Sequence, residues 1–137
     1  MSRLFAAFVA MMIATQPVVA APAPAVSYYQ IYAVRSAQSS GTWEYPKSSD
    51  VVTTWDHGGS YIDVAVYQRG YSSSRQAKMD TYGMSLVETL YDKDSSGAIV
   101  GFYYIFRIQK GFASGTVSSS AISINTGRAW SDSIRIK

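Results

Sequence analysis

Short segments in which apolar and polar residues alternate constrain this chain more than any other feature. In residues 60–67, Ile62, Val64 and Val66 would share one face of an extended chain, because successive side chains of a strand point to opposite faces. Residues 98–109 are the most apolar stretch beyond the N-terminus and predict a central strand of the core. The alternation therefore predicts an all-β protein.

Other strands are predicted by the same criteria at 26–37, 42–45, 51–55, 76–80, 84–91, 116–125 and 130–137. Residues 51–67 are predicted to form a hairpin that turns at Asp56-His57-Gly58-Gly59, since glycine and aspartate favour tight turns.

The segment 26–37 carries apolar residues on both faces and predicts a strand covered on two sides, whereas the Gly/Ser-rich residues 70–75 predict a loop. Residues 84–91 also fit a helical period, but the segment is short and no glycine follows it, which favours a strand. About seven to nine short strands predict a single-domain antiparallel β-sandwich or small barrel over residues 26–137.

The N-terminus has the three parts of a secretory signal peptide. A positive start at Arg3 precedes an apolar run over residues 4–19, and small residues follow at Ala20 and Ala21. The run is short for a bilayer span, although an uncleaved anchor is the alternative interpretation. We therefore expect residues 1–21 to be a signal peptide and 22–25 an extended Ala/Pro leader that is disordered or trimmed. Cleavage after Ala20 or Ala21 fits the pattern, and cleavage after Ala25 is the alternative. The protein would then be secreted, or periplasmic in a Gram-negative host, with no membrane span after cleavage.

Charge and cysteine content exclude several classes of protein. Without Arg3 the chain has 11 basic and 9 acidic residues, a net charge of +2, and the basic residues are scattered. Nucleic-acid binding is therefore not expected. The chain has no cysteine, which rules out disulfides and a cysteine-linked lipid anchor, so packing must supply the stability. The 11 Tyr and 3 Trp all lie beyond the predicted signal peptide and can supply much of that packing.

His57 is the only histidine and the first candidate for chemistry. With Asp56 it could form part of a small hydrolase, but no Gly-x-Ser-x-Gly turn positions a nucleophile. The alternative is a turn in which Asp56 bonds to its own backbone. A carboxylate pair drawn from Asp63, Glu88 and Asp132 is a second hydrolase hypothesis, although these residues lie on separate predicted strands.

Residues 92–99 match the first half of an EF-hand calcium loop. Oxygen ligands would come from Asp92, Asp94, Ser96 and the carbonyl of Ala98, but position twelve is Tyr103 instead of a bidentate glutamate. The pattern predicts a weak calcium site at most, in a module that calcium would steady. The alternative is a polar hairpin turn in which the aspartates accept backbone hydrogen bonds.

Exposed tyrosines are the last candidates. Tyr28, Tyr32, Tyr61, Tyr67 and Tyr71 could form an aromatic face that stacks on sugar rings or anchors a partner. The alternative is that they fill the core and its edges. Together with Asp56 and His57, we take Tyr61, Tyr67 and Tyr71 as candidate binding residues.

Several motifs carry a resemblance to known proteins. They are 26–34, Trp55-Asp-His-Gly-Gly-Ser-Tyr61, Gly70-Tyr71, Ala77-Lys-Met79 and Gly101-Phe-Tyr-Tyr104. In these the chain resembles the family of small secreted bacterial proteins typified by YolA, a resemblance that implies secretion and a β fold and supplies no catalytic residues. Gly41-Thr42-Trp43 is also similar to lactococcin-972-type bacteriocins, which are small exported β-sandwiches without cysteine.

These observations predict an exported, monomeric and non-enzymatic binding protein. Its partner would be an unidentified extracellular or envelope ligand, and its role could be that of an antibacterial or competition factor. No cofactor is expected apart from the weak calcium site. The alternatives are a secreted hydrolase using His57 and Asp56, and a calcium-steadied structural module.

Overall fold

The computed structural model describes residues 23–109, 111 and 114–137. The predicted signal peptide, residues 1–21, lies outside the described residues, as does Pro22. The strands are β1 (Tyr28–Ser36), β2 (Ile62–Arg69), β3 (Ser72–Met79), β4 (Tyr82–Gly83), β5 (Ser85–Lys93), β6 (Ile99–Ile108), β7 (Gly115–Ser123) and β8 (Ala129–Ile136).

The strands form two four-stranded antiparallel sheets that pack face to face. Sheet I has the order β1-β2-β6-β5, and sheet II has the order β4-β3-β7-β8. The prediction of an all-β, antiparallel sandwich is therefore confirmed, including the choice of a strand for residues 84–91. Within the described residues no helix is long and apolar enough to cross a membrane.

The alternation in the sequence decides which side chains enter the core. On β2, Ile62, Val64 and Val66 point inward and are fully buried. Their partners on β6 are also apolar, and sheet II closes the core from the other side with Met79, Val117, Ala121, Ile134 and Ile136. Each such large side chain stabilises the fold by about 1.5–3 kcal/mol through removal of apolar area from water.

The predicted hairpin over 51–67 is wrong. Val52 forms a parallel bridge with Arg135 of β8, and the Thr53 amide donates to the Arg135 carbonyl at 2.9 Å. Residues 51–55 cannot pair with β2, because β1 and β6 already occupy its two edges. Residues 37–61 instead form a long connection that contacts both sheets.

Two other local expectations are also wrong. β1 lies at the edge of sheet I and is not covered on both sides, because the tyrosines of its outer face remain on the surface. The expected loop at 70–75 contributes to β3, which pairs with β7 along its length. Serine-rich sequence here indicates a solvent-facing strand, since serine fits a pleated surface even though it is common in loops.

The described part of the Ala/Pro leader, residues 23–25, bonds to the sandwich. The Tyr71 amide donates to the Pro24 carbonyl at 2.9 Å, and Asn125 Nδ2 donates to the Ala23 carbonyl at 2.8 Å. Val26 follows as a buried core residue whose amide donates to Ser123 Oγ at 2.8 Å. These backbone partners hold residues 23–26 against the sandwich.

Candidate functional site

The outer face of sheet I carries a cluster of tyrosines that no second layer of the described residues covers. We call Tyr28, Tyr32, Tyr45, Tyr67 and Tyr103 the tyrosine face. Ring centroids lie 5.9 Å apart for Tyr28 and Tyr67, 4.8 Å for Tyr67 and Tyr103, 5.3 Å for Tyr103 and Tyr32, and 5.4 Å for Tyr32 and Tyr45. The rings therefore form one continuous chain of contacts.

The rings of the tyrosine face are tilted and do not form a flat platform. Interplanar angles run from 33° between Tyr67 and Tyr103 to 70° between Tyr32 and Tyr45. The result is a groove of about 600 Å³ that Gln30, Pro46, Ser48 and Arg69 complete. Tyr45 is 60 % exposed, so a large part of this aromatic surface faces solvent.

The absence of a side chain at Gly101 positions Tyr67. A Cβ at this position would lie 2.8 Å from Tyr67 Oη and 2.9 Å from Tyr67 Cε2. Because the space is empty, the Tyr67 ring lies across β6, and its hydroxyl donates to Asp92 Oδ2 on β5 at 2.6 Å. Burial and this hydrogen bond to the Asp92 carboxylate raise the pKa of Tyr67, so the phenol stays protonated at neutral pH.

A hollow of about 200 Å³ continues the groove along the outer face. Its floor consists of the small or slender side chains Ala33, Ala65 and Ile105, which pack against Trp43. Tyr32, Tyr45 and Tyr103 line both the groove and the hollow. The two depressions therefore form one extended trough.

A charged row closes the far end of the trough. Asp63 is fully buried on β2 and accepts hydrogen bonds from Arg35 Nε at 2.8 Å and from Arg107 Nε at 2.7 Å. The guanidinium groups also lie over aromatic rings, Arg35 over Trp43 and Arg107 over Tyr61. Burial opposes ionisation, but the two arginines outweigh it and hold the pKa of Asp63 below its ordinary value. The row is thus a preformed, rigid border.

His57 lies in a buried polar cluster beneath the long connection. Its Nδ1 is 3.0 Å from Ser36 Oγ, and its Nε2 is 3.1 Å from Glu44 Oε1. Ser36 Oγ already accepts from the amides of Gly58 and Ser39, so its own hydrogen is left to donate to Nδ1. The proton of His57 is therefore on Nε2, which donates to the Glu44 carboxylate.

This cluster resembles a Ser-His-carboxylate triad in its composition but not in its accessibility. Ser36 is fully buried and His57 is 1 % exposed, so a substrate has no access to the hydroxyl. A catalytic serine also has to reach a reacting carbonyl. Here Ser36 Oγ is instead surrounded by His57 and two backbone amides. The arrangement stabilises the loop and offers no nucleophile.

The buried cluster also fixes the position of Tyr45 on the tyrosine face. Val34 and Glu44 exchange two backbone hydrogen bonds, at 2.9 and 2.8 Å, which hold residues 43–45 extended beside β1. Side chains alternate in an extended segment, so the buried Glu44 leaves Trp43 and Tyr45 on the outer face. Glu44 is held from below by His57 and by the amides of Thr54 and Trp55.

Comparison with known proteins identifies the family. A family model of a domain of unknown function, DUF4879, matches residues 21–136. The chain belongs to the DUF4879 family. No curated protein and no solved structure matches it. The resemblances to YolA-like proteins and to lactococcin-972-type bacteriocins therefore stay predictions.

The structure of this DUF4879 domain separates the residues that the sequence suggested as binding residues. Tyr67 lies on the tyrosine face, whereas Tyr61 is at the charged row and Tyr71 packs against the core beside Phe102. Asp56 is exposed while His57 is buried. The five residues therefore do not form one site. Asp63 on β2 and Glu88 on β5 belong to sheet I, whereas Asp132 on β8 belongs to sheet II.

The predicted calcium ligands of the DUF4879 domain have protein partners. Asp94 Oδ1 accepts from the amides of Ser96 and Ala98 and from the Ser96 hydroxyl, which is the hairpin-turn alternative. Asp92 accepts from Tyr67 instead. Among the described residues no three His, Asp or Glu side chains are grouped for a metal. Calcium binding stays a prediction that a melting curve with and without calcium would test.

Sequence reasoning missed Tyr45, Tyr103, Gly101 and the role of Asp92. The alternation within residues 98–109 contained a signal for Tyr103, because Phe102, Tyr104 and Phe106 point inward and the odd-numbered residues must point outward. No sequence signal places Tyr45 there, since its position depends on the long connection.

Proposed function

We propose that this protein is an exported, non-enzymatic binding protein that engages a component of the cell envelope through its tyrosine face. The observation that carries the proposal is the trough itself, a chain of five tyrosines open to solvent on a rigid sheet. Monomeric soluble proteins seldom expose a contiguous aromatic patch without a binding role. Export is supported by the N-terminal sequence pattern.

The charges of the outer face also support a binding role. The arginines of the charged row are paired with Asp63, and the predicted net charge of the exported chain is +2. Attraction by bulk charge is therefore weak, and ring contacts must supply most of the affinity. Binding through rings changes little with added salt, because screening acts on charges.

Co-sedimentation with isolated cell-wall material tests this proposal. The protein to use is the chain without the predicted signal peptide, residues 1–21. We expect it to pellet with the wall at low and at high salt. Tyr32→Ala and Tyr103→Ala should weaken binding by about tenfold each, as loss of a central aromatic contact does.

Tyr82→Ala is the matched control, because Tyr82 is an exposed tyrosine on β4 of the other sheet. It should bind like the unchanged protein. Absence of pelleting, or an equal loss in all three variants, would contradict the proposal. A growth assay on related bacteria, with the same variants, then tests whether binding has an antibacterial consequence.

A further inference from the structure

At the Gly101 end of the groove, the outer face combines an aromatic ring with one donor group and one acceptor group. Arg69 lines the groove, and Asp92 borders it through its hydrogen bond with Tyr67. Arg69 and Asp92 both stand opposite Gly101, on the strands that flank β6. The Tyr67 ring lies over the glycine between them. A guanidinium only donates hydrogen bonds, and a carboxylate only accepts them. This point of the face therefore presents a donor, a ring and an acceptor in a row across three strands.

Extending the proposed function, on which this inference rests, we propose that the tyrosine face takes a neutral saccharide chain whose hydroxyl groups are recognised by Arg69 and Asp92. A sugar ring offers C–H faces that pack on aromatic rings. Its hydroxyl groups are donors and acceptors at once, so one residue of the chain can satisfy both Arg69 and Asp92.

The same groups disfavour other polymers. An acidic polymer needs unbalanced positive charge, but Asp92 offsets Arg69 at this position. A proline-rich peptide also docks on tyrosines, but proline has no hydroxyl or N–H that could donate to Asp92. The length of the trough, which joins the groove to the hollow through three shared tyrosines, fits a chain better than a single sugar.

A substitution in the floor of the hollow tests the length of the trough without removing a tyrosine. Ala65 lies on its floor, with Ala33 and Ile105 beside it. Ala65→Leu would fill part of this space from below and shorten the trough. A chain that spans both depressions should therefore bind more weakly to Ala65→Leu, whereas a single sugar held at Asp92 should not.

Titration with soluble oligosaccharides, followed by tyrosine and tryptophan fluorescence, tests the inference. The probes are tetramers of β-1,4-linked N-acetylglucosamine, β-1,4-linked glucose, β-1,4-linked mannose and α-1,4-linked glucose, with deca-proline and a polyglutamate as competitors of other chemistry. We expect at least one tetramer to bind with a Kd at or below about 1 mM, and its monomer to bind more weakly.

Single substitutions test whether Arg69 and Asp92 recognise the saccharide. Asp92→Asn and Arg69→Gln should each raise the Kd of the tetramer by about tenfold, as loss of a charged hydrogen bond does. Gly101→Ala should weaken tetramer binding too, because its Cβ would lie 2.8 Å from Tyr67 Oη. The Cβ would also lie 2.9 Å from the Gln68 carbonyl oxygen, so a melting curve has to show that the sheet is intact in this variant. Glu88→Gln is the matched control, an exposed carboxylate on the same strand that stands opposite Ile105 and not opposite Gly101, and it should bind normally.

The outcomes separate this inference from the proposed function. Wall binding with no response to any tetramer, or competition only by deca-proline or polyglutamate, leaves the proposed function standing and overturns the saccharide. Tetramer binding that Asp92→Asn and Arg69→Gln leave unchanged overturns the roles of these residues. Tetramer binding without wall binding supports the saccharide and contradicts the envelope target.

Discussion

At the scale of single residues, burial decides what a polar side chain does in this protein. His57, Ser36 and Glu44 have the residue types of a hydrolase, yet they lie beneath the long connection and bond to each other and to backbone amides. A buried polar group without a partner costs about 1–3 kcal/mol. Each of these three side chains has a hydrogen-bond partner, and together they stabilise the loop that carries Tyr45.

Replacing His57 distinguishes this role from catalysis. His57→Ala should lower the free energy of unfolding by about 2–4 kcal/mol, because Ser36 and Glu44 lose a buried partner and a cavity opens. From the sequence alone, only a slight loss of stability would be expected in a binding domain. Urea unfolding monitored by circular dichroism measures the change.

Asp56→Ala is the control at the neighbouring, exposed position, and its stability should change by less than about 0.5 kcal/mol. A His57→Ala protein of unchanged stability that lost a hydrolytic activity would favour the enzyme alternative instead.

At the scale of elements, the N-terminal segment 23–26 acts as part of the fold although its composition suggests a spacer. Gly70 permits its approach: a Cβ there would lie 2.1 Å from the Ala25 carbonyl oxygen, and Gly70 has a φ of +83°. The backbone of one segment thus packs directly on the backbone of another, which only glycine allows.

Gly70→Ala should therefore lower the free energy of unfolding by about 2–4 kcal/mol, since it adds a clash to the strain of a positive φ. Gly97→Ala is the matched control, because Gly97 has a φ of +85° but nothing within 4 Å of a new Cβ. It should lose only about 1 kcal/mol. Thermal unfolding of both variants would show the difference.

If the chain is exported as we propose, the same contacts predict where signal cleavage occurs. Cleavage after Ala20 or Ala21 keeps the carbonyls of Ala23 and Pro24 that Asn125 and Tyr71 bind, whereas cleavage after Ala25 removes them. Under the proposed export, the mass of the cleaved chain should therefore include Ala23. A mature chain that starts at Val26 and keeps full stability would contradict this assignment.

At the scale of the whole molecule, the two sheets join through an apolar core that a tyrosine hydroxyl crosses to form a hydrogen bond. Tyr29 of sheet I donates to Ser119 of sheet II, whose own hydroxyl donates to the Gln76 carbonyl at 3.0 Å. Burial raises the pKa of Tyr29 from 10.0 to about 12. Ionisation of this phenol would place a charge between the sheets.

The stability of the sandwich should consequently fall at alkaline pH. A folded-state pKa above the unfolded value means that the contribution is complete below pH 10.0 and decreases as the pH rises through about 12. Tyr29→Phe should lose about 1 kcal/mol at neutral pH and depend less on pH above 10. Tyr91→Phe, an exposed change, should follow the unchanged protein. Urea unfolding from pH 8 to 11.5 measures the free energy of unfolding of both variants. If Tyr29→Phe lost stability with rising pH as steeply as the unchanged protein, the role of Tyr29 would be contradicted.

The sequence by itself determined the all-β class, most strands and the inward-facing residues, because alternation is a property of neighbouring residues. The sequence also suggested Tyr28, Tyr32 and Tyr67 as members of an exposed aromatic face. Only the tertiary structure decided that residues 51–55 run beside β8 and that the Tyr45 ring contacts the Tyr32 ring. It also decided that the space at Gly101 lets the Tyr67 hydroxyl reach Asp92. These outcomes depend on which strand edges remain open after distant segments have paired, and no local pattern specifies that choice.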